Sequence, residues 1–345
     1  MTIYCEAIVL MKEADIRPEK LINRYLALSA QDANVCFSDS DRFGVLCVGC
    51  GSSKQQPQFT KNNFQYVKCD NCGSLYQSPR PTEKAFEGFY RDSVSSSFWA
   101  DEFFPVVAES RREKIFKPRV ERLTDFCRET GVDVTNLIEV GAGYGIFLEE
   151  WKKIHPEVKA IAIEPSVSLA KECRNKGFDV IEDVAENVTG LENHADLVVC
   201  FEVVEHVYDP LAFMGVLVDM ARPGGYVFIS TLCVDGFDIQ LLWDKSKSIF
   251  PPHHINFLSI QGFDHLFKRA GLEDVNIITP GVLDVDIVIN ASKTHPEILD
   301  QHRFFKHIIS NNTLADNFQK FLSDNCLSSH AWIIGKKPEK SEGHV

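Results

Sequence analysis

The stretch Leu137-Ile138-Glu139-Val140-Gly141-Ala142-Gly143-Tyr144-Gly145 constrains the fold of this chain more than any other. An apolar run that ends in a glycine-dense turn, ahead of the helical pattern Ile146–Ile154, spells a buried strand, a tight loop and a helix start. Glycines there let backbone approach a ligand, and the helix N-terminus offers unpaired N–H groups. The spacing is Gly-x-Gly-x-Gly with an acid two residues before the first glycine, not the Gly-x-Gly-x-x-Gly of a dinucleotide fingerprint. Glu139 would repel a pyrophosphate and suits a ligand with a cationic end, such as an ammonium. Taken alone, the turn is as open to a packing role as to a binding one.

The residues downstream narrow the choice. Val158–Ile163 reads as a second strand ending at Glu164-Pro165, and an acid at that tip commonly holds ribose hydroxyls through a bidentate carboxylate. A helix over Ser168–Lys176 and a short strand over Phe178–Ile181 lead to Glu182-Asp183-Val184-Ala185-Glu186, where an acid can accept from an adenine amino group. The fourth strand, Asp196–Phe201, runs into Glu202-Val203-Val204-Glu205-His206-Val207-Tyr208-Asp209-Pro210, and a fifth, Tyr226–Thr231, comes after Arg222-Pro223-Gly224-Gly225.

In motif order and spacing, residues 137 to 280 resemble the class I S-adenosylmethionine-dependent methyltransferases, through LIEVGAGYG, IAIEP, DLVVCFEVVEHVYDP and RPGGYVFIS. The resemblance implies a seven-stranded doubly wound sheet with the cofactor across the carboxyl ends of the first strands. Glu139, Gly141, Gly143 and Gly145 would flank the methionine moiety and Glu164 the ribose. Asp183 or Glu186 would meet the adenine, and Phe201 and Glu202 would lie beside the cofactor. Tyr144 covers the cofactor or occupies an exposed turn.

Upstream, Cys47-Val48-Gly49-Cys50-Gly51 and Cys69-Asp70-Asn71-Cys72-Gly73 form a doubled Cys-x-x-Cys-Gly pattern. These are the knuckles of a zinc ribbon, because the glycine lets backbone N–H groups turn toward thiolates. Four thiolates make a closed, structural Zn2+ site. Cys5, Cys36, Cys127, Cys173, Cys200, Cys233 and Cys326 are scattered through apolar or helical contexts, as expected of small core residues in a reducing compartment. Ile8-Val9-Leu10-Met11 is too short for a secretory signal, and no apolar run approaches membrane-spanning length, so a cytoplasmic location is expected.

The net charge of -13 argues against a nucleic-acid substrate, whose binding rests on basic surface, and with it against RNA methylation through the ribbon. The basic runs Arg111-Arg112-Glu113-Lys114 and Lys117-Pro118-Arg119 are read as a solvated helix face.

The expected fold is α/β, a doubly wound seven-stranded Rossmann-like methyltransferase sheet with a small N-terminal zinc ribbon and a helical insertion near the C-terminus. Its sections are an N-terminal helical segment (1–42) with an apolar-periodic helix over Pro18–Leu28, the ribbon (43–82), an aromatic-rich helical cap (83–129), a methyltransferase domain (130–335) and a disordered tail (336–345). The insertion, about 284–328, would split the final antiparallel strand pair. The ribbon, the Pro79-Arg80-Pro81 exit, the aromatic segment and the class I core together resemble bacterial methyltransferases of small molecules, many in surface-polysaccharide biosynthesis. EVVEH also resembles quinone-precursor O-methyltransferases.

Methyl transfer to a hydroxyl or carbon acid needs a base, and histidine suits neutral pH. His206, beside Glu205 at the end of the fourth strand, and His253 or His254 after the fifth are the candidates; each can instead brace local structure. Trp243 forms a pocket wall or a core anchor. The main expectation is S-adenosylmethionine-dependent methylation of a small polar acceptor, a sugar or sugar nucleotide. The alternatives are O-methylation of a quinone-like or other aromatic molecule and a non-catalytic cofactor-binding scaffold. No nucleic-acid or membrane partner is expected, and a homo-oligomer is compatible with the sequence.

Overall fold

The computed structural model describes residues 11–37 and 40–339. Cys5, Ile8–Leu10 and the tail residues 340–345 therefore lie outside the described part. The central element is a seven-stranded sheet: β1 (Asn136–Val140), β2 (Lys159–Ile163), β3 (Asp179–Ile181), β4 (Ala195–Phe201), β5 (Ala221–Leu232), β6 (Glu273–Ile278) and β7 (His330–Lys336), in spatial order β6-β7-β5-β4-β1-β2-β3. β1 pairs in parallel with β2 and β4, and β5 in parallel with β4, as apolar strands covered on both faces do. Every residue of β4 is buried. The strand order reverses between β1 and β4, and crevices at the carboxyl ends beside such a reversal hold ligands in open α/β sheets.

The chain divides into two compact units. One comprises the chain through Val107 with Leu232–Gly262 and Ile278–Trp332; the other comprises Ala108–Thr231, Phe263–Ile277 and the residues from Ile333 on. The unit that carries β1 to β4 thus starts at Ala108, not at 130, because helix Lys117–Thr130 buries Val120, Leu123 and Phe126 and belongs with the sheet. The C-terminal boundary also shifts. β7 continues through Lys336, and the Lys337 ammonium donates to the carbonyls of Val218 and Ala221, so residues 336 and 337 are ordered by strand and side-chain hydrogen bonds instead of opening a tail.

In the other unit, Gln55–Lys61 and Phe64–Cys69 form a hairpin closed at Asn62-Asn63, both at positive φ, the conformation that matches hairpin twist and that asparagine tolerates. Leu75–Gln77 extends this sheet, and Asn256–Phe257 completes it. The N-terminal helix is longer than its sequence core, Glu19–Phe37, and packs Ile22 and Tyr25 against Phe98, Phe103, Val107 and Phe250. Phe86, Phe89, Phe98 and Phe103 of the aromatic segment are buried and pack as core. The insertion is made of helices Asp284–Ser292, Glu297–Gln301, Arg303–Ile308 and Asn312–Asp324, and it packs with helix Phe237–Leu242. Among the described residues no helix is long and apolar enough to cross a membrane.

Candidate functional site

The glycine turn after β1 is held from below. Gly141 and Ala142 donate their N–H groups to the Ile163 carbonyl, and Gly145 donates to Ala142. All three glycines have positive φ, but they do different work. A Cβ on Gly141 would strike Val203 at 2.6 Å and one on Gly145 would meet the Cys173 sulfur at 3.0 Å, whereas one on Gly143 would meet nothing within 4 Å. Gly141 and Gly145 are therefore packing glycines, and Gly143 faces open space where a ligand can approach.

Glu139 is buried beneath this turn and its Oε2 has no hydrogen-bond partner. Burial, the largest cause, pushes its carboxyl well above the ordinary value. An orphaned buried carboxyl oxygen is costly unless something pairs with it, and a ligand ammonium is such a partner. Glu164 is fixed at the end of β2, with Oε2 accepting from Gly143 N at 2.8 Å and Oε1 from Ser166 N at 2.9 Å. Each oxygen keeps a further lone pair for a hydroxyl. Asp183 is exposed and accepts from Val184 N and the Asn187 side-chain amide through Oδ1, which ties it to the short turn Ala185–Asn187; Glu186 is exposed on that turn. Tyr144 is half-buried, and its carbonyl accepts from Lys176.

At the carboxyl end of β4, Glu202 adopts φ 55°, a conformation that side-chain-bearing residues rarely take and that concentrates at functional sites. Its Oε1 accepts from the Ser230 hydroxyl at 2.6 Å and stands 3.4 Å from Arg119 Nη2. Arg119 is 2 % exposed, its guanidinium lies 4.3 Å over the Phe201 ring, and it also acts electrostatically on Glu139. The solvated-face reading of Lys117-Pro118-Arg119 thus fails at Arg119. The missed signal is helical spacing: Arg119 lies on the stripe of Phe116, Leu123 and Phe126, the face that packs.

Glu205 is buried and accepts from the Thr231 hydroxyl at 2.7 Å. Burial, with Glu202 adding to it, pushes its carboxyl up to about 8, so it carries a proton at neutral pH. His206 is half-buried on the same turn, and Asp209, not His206, caps helix Pro210–Met220.

His253 and His254 belong to the other unit. His253 Nε2 bonds the Ser95 hydroxyl at 2.8 Å inside a cage of Tyr25, Phe89 and Phe250, a bracing arrangement. His254 Nδ1 lies 2.7 Å from the Ser248 carbonyl. A carbonyl only accepts, so Nδ1 carries the proton of this bond. Trp243 packs edge-on against Phe59, the anchor role.

The four knuckle sulfurs lie within 4.8 Å of one another, with Cys47–Cys72 at 3.4 Å and Cys50–Cys69 at 3.6 Å. A tetrahedron with Zn–S bonds of about 2.3 Å spaces its sulfurs about 3.8 Å apart, so the cluster has the right size. Both knuckles repeat one pattern: Gly51 and Gly73 at positive φ donate back to Cys47 and Cys69, whose own N–H groups donate to Ser52 and Ser74.

Residues 108–277 match the family model described as a methyltransferase domain, coinciding at its start with the second structural unit. This part of the chain is a methyltransferase domain. Among curated proteins, a ubiquinone biosynthesis O-methyltransferase of Xanthomonas campestris is 33% identical over 103 residues, 28% of this chain and 42% of that protein. One from Proteus mirabilis is 29% identical over 148 residues, 41% of this chain and 57% of its own length. The chain thus spans less than half the length of the Xanthomonas relative. Among solved structures, an Archaeoglobus fulgidus S-adenosylmethionine-dependent methyltransferase covers 69% of this chain and 100% of its own at 17% identity and TM-score 0.45.

Proposed function

We propose that this chain transfers a methyl group from S-adenosylmethionine to a hydroxyl of a quinone-like or other aromatic small molecule. The observation that carries the cofactor assignment is the buried Glu139 carboxyl, one oxygen unpartnered, behind a turn whose Gly143 opens onto free space. The aromatic O-acceptor, which replaces the sugar as the leading reading, draws its support from the names of the curated relatives.

The cofactor, when bound, supplies an electrophilic sulfonium methyl; the protein binds, orients and deprotonates. A methionine end is a zwitterion, so it needs an acid and a base together. Glu139 takes the ammonium and Arg119 the carboxylate, Glu164 the ribose hydroxyls, and Asp183 or Glu186 the adenine amino group. Glu202 holds Arg119 in place. Glu205, protonated at neutral pH, acts as a hydrogen-bond donor and not as a base. His206 and His254 are the base candidates, with the His254 ring held through Nδ1 by the Ser248 carbonyl.

The sugar reading keeps one specific support. In the first unit Arg80, Gln77 and Asn256 are fully buried, Arg80 donates to Asn256, and the Gln77 carboxamide has no partner, which suits a hydroxyl-rich acceptor. Incubation with methyl-labelled cofactor and two acceptor panels, catechols and deoxysugar nucleotides, decides: label in a catechol supports the proposal, label in the sugar panel reverses it. Tight cofactor binding without any turnover leaves the scaffold.

The four thiolates are proposed to hold a structural Zn2+, and the cytoplasm is the proposed location, as ten described cysteines outside any disulfide suit a reducing compartment.

A further inference from the structure

Helices Phe237–Leu242, Arg303–Ile308 and Asn312–Asp324 border an open cavity of about 370 Å3 in the insertion-bearing unit. We propose that it binds an amphiphilic anion, an alkyl or aryl body ending in a carboxylate or sulfonate. This is a site of its own and does not rest on the methyl-transfer reading.

The floor is three mutually packed rings, with Phe237 5.0 Å from Phe305 and 5.1 Å from Phe318, and Phe305 6.1 Å from Phe318. Leu241 and Ile308 complete an apolar lining. At the mouth Phe304 leaves 76 % of its surface in water, and Phe321 beyond the lining leaves 51 %. A phenyl that exposed is stabilised when something apolar covers it. The volume falls in the range of small-molecule sites, about 300–1,000 Å3, which are likewise apolar with a few placed polar groups.

Those polar groups are Gln301, His302 and Arg303. No acid among the described residues lines the cavity, although the chain carries 49 acids against 36 Lys and Arg. Nearby Lys306 is committed to Asp300 and Lys245 to Glu297, whereas Arg303 makes no ion pair or side-chain hydrogen bond among the described residues. An uncommitted guanidinium beside an open apolar cavity selects an anionic head on an apolar tail, because it pairs charge without burying an unmatched one.

The test is calorimetric titration of the full chain with decanoate, with decyltrimethylammonium as the opposite-charge control. One decanoate per chain is expected, with the ammonium amphiphile failing to bind. Arg303→Glu should weaken decanoate at least tenfold and Phe304→Ala severalfold, both exposed positions whose variants keep the wild-type circular dichroism. Equal binding of both amphiphiles, or unchanged affinity in Arg303→Glu, overturns the proposal. So does self-association through this face that decanoate does not displace, since a second copy is then the occupant.

Discussion

Replacing Arg119 by methionine separates recognition of the cofactor from support of the fold. Methionine keeps the stem that packs over Phe201 and removes the guanidinium that stands 3.4 Å from Glu202 and acts on Glu139. Loss of one charge-assisted interaction with the cofactor carboxylate should cost about 1.5–3 kcal/mol, or roughly 10- to 150-fold in affinity. The penalty on stability should be smaller than the roughly 3–5 kcal/mol typical of a broken buried pair, since Glu202 is 36 % exposed and can rehydrate. The assay is calorimetry with S-adenosylhomocysteine beside 5′-methylthioadenosine, which has the nucleoside but no amino-acid end. The expected outcome is a large loss for the first and an unchanged constant for the second, with Arg119→Lys recovering part of the loss. Equal losses for both ligands would show that Arg119 merely supports the fold, and no loss for either would place it outside the site.

Gly143→Ala should weaken S-adenosylhomocysteine binding at a modest cost in stability, about 1–2 kcal/mol for its φ of +55°, because its Cβ meets no protein atom within 4 Å; Gly141→Ala, at positive φ and also striking Val203 at 2.6 Å, should lower the melting temperature further, and the two are compared by calorimetry and thermal melts. Glu205 binds its proton more tightly folded than unfolded, so the stability it confers is present at low pH and drains away as pH rises from the unfolded value near about 4.3 toward about 8. Urea melts of Glu205→Gln should therefore lose up to about 1.4 kcal/mol per pH unit of the wild-type downward slope in that window; an unaltered slope would refute the burial argument. Cys50→Ser should release the zinc and destabilise its own unit, as read by metal analysis, and unchanged metal content would contradict a four-thiolate site. His254→Ala should remove turnover and leave S-adenosylhomocysteine affinity intact; retained turnover moves the base to His206.

Much of the catalytic domain was legible in the chain because its strands announce themselves locally. Leu137–Val140 and Ala195–Phe201 are continuous apolar runs of the kind a strand buried on both faces requires, and the glycine turn and Glu164 come at fixed offsets from them. The doubled knuckle was legible for the same reason, since each Cys-x-x-Cys-Gly closes its own backbone bonds. Arg119 escaped because a charge inside a basic run reads as surface, although its helical phase put it on the packed face. The two histidines looked equivalent in sequence, and only the structure showed that one ring is bound by the Ser95 hydroxyl and the other by the Ser248 carbonyl.

Local chemistry along the chain was enough to set the elements: the strands, the glycine turn, the knuckles and the helices after β6, because periodicity and turn preferences act over a few residues. Which segments belong together was settled by packing at long range. Asn256–Phe257 closes the knuckle sheet against Leu75–Tyr76, and the chain through Val107 shares one unit with Leu232–Gly262 and the insertion helices. Such pairings join residues more than a hundred positions apart through complementary shape and buried area, and no local window of the chain carries that information.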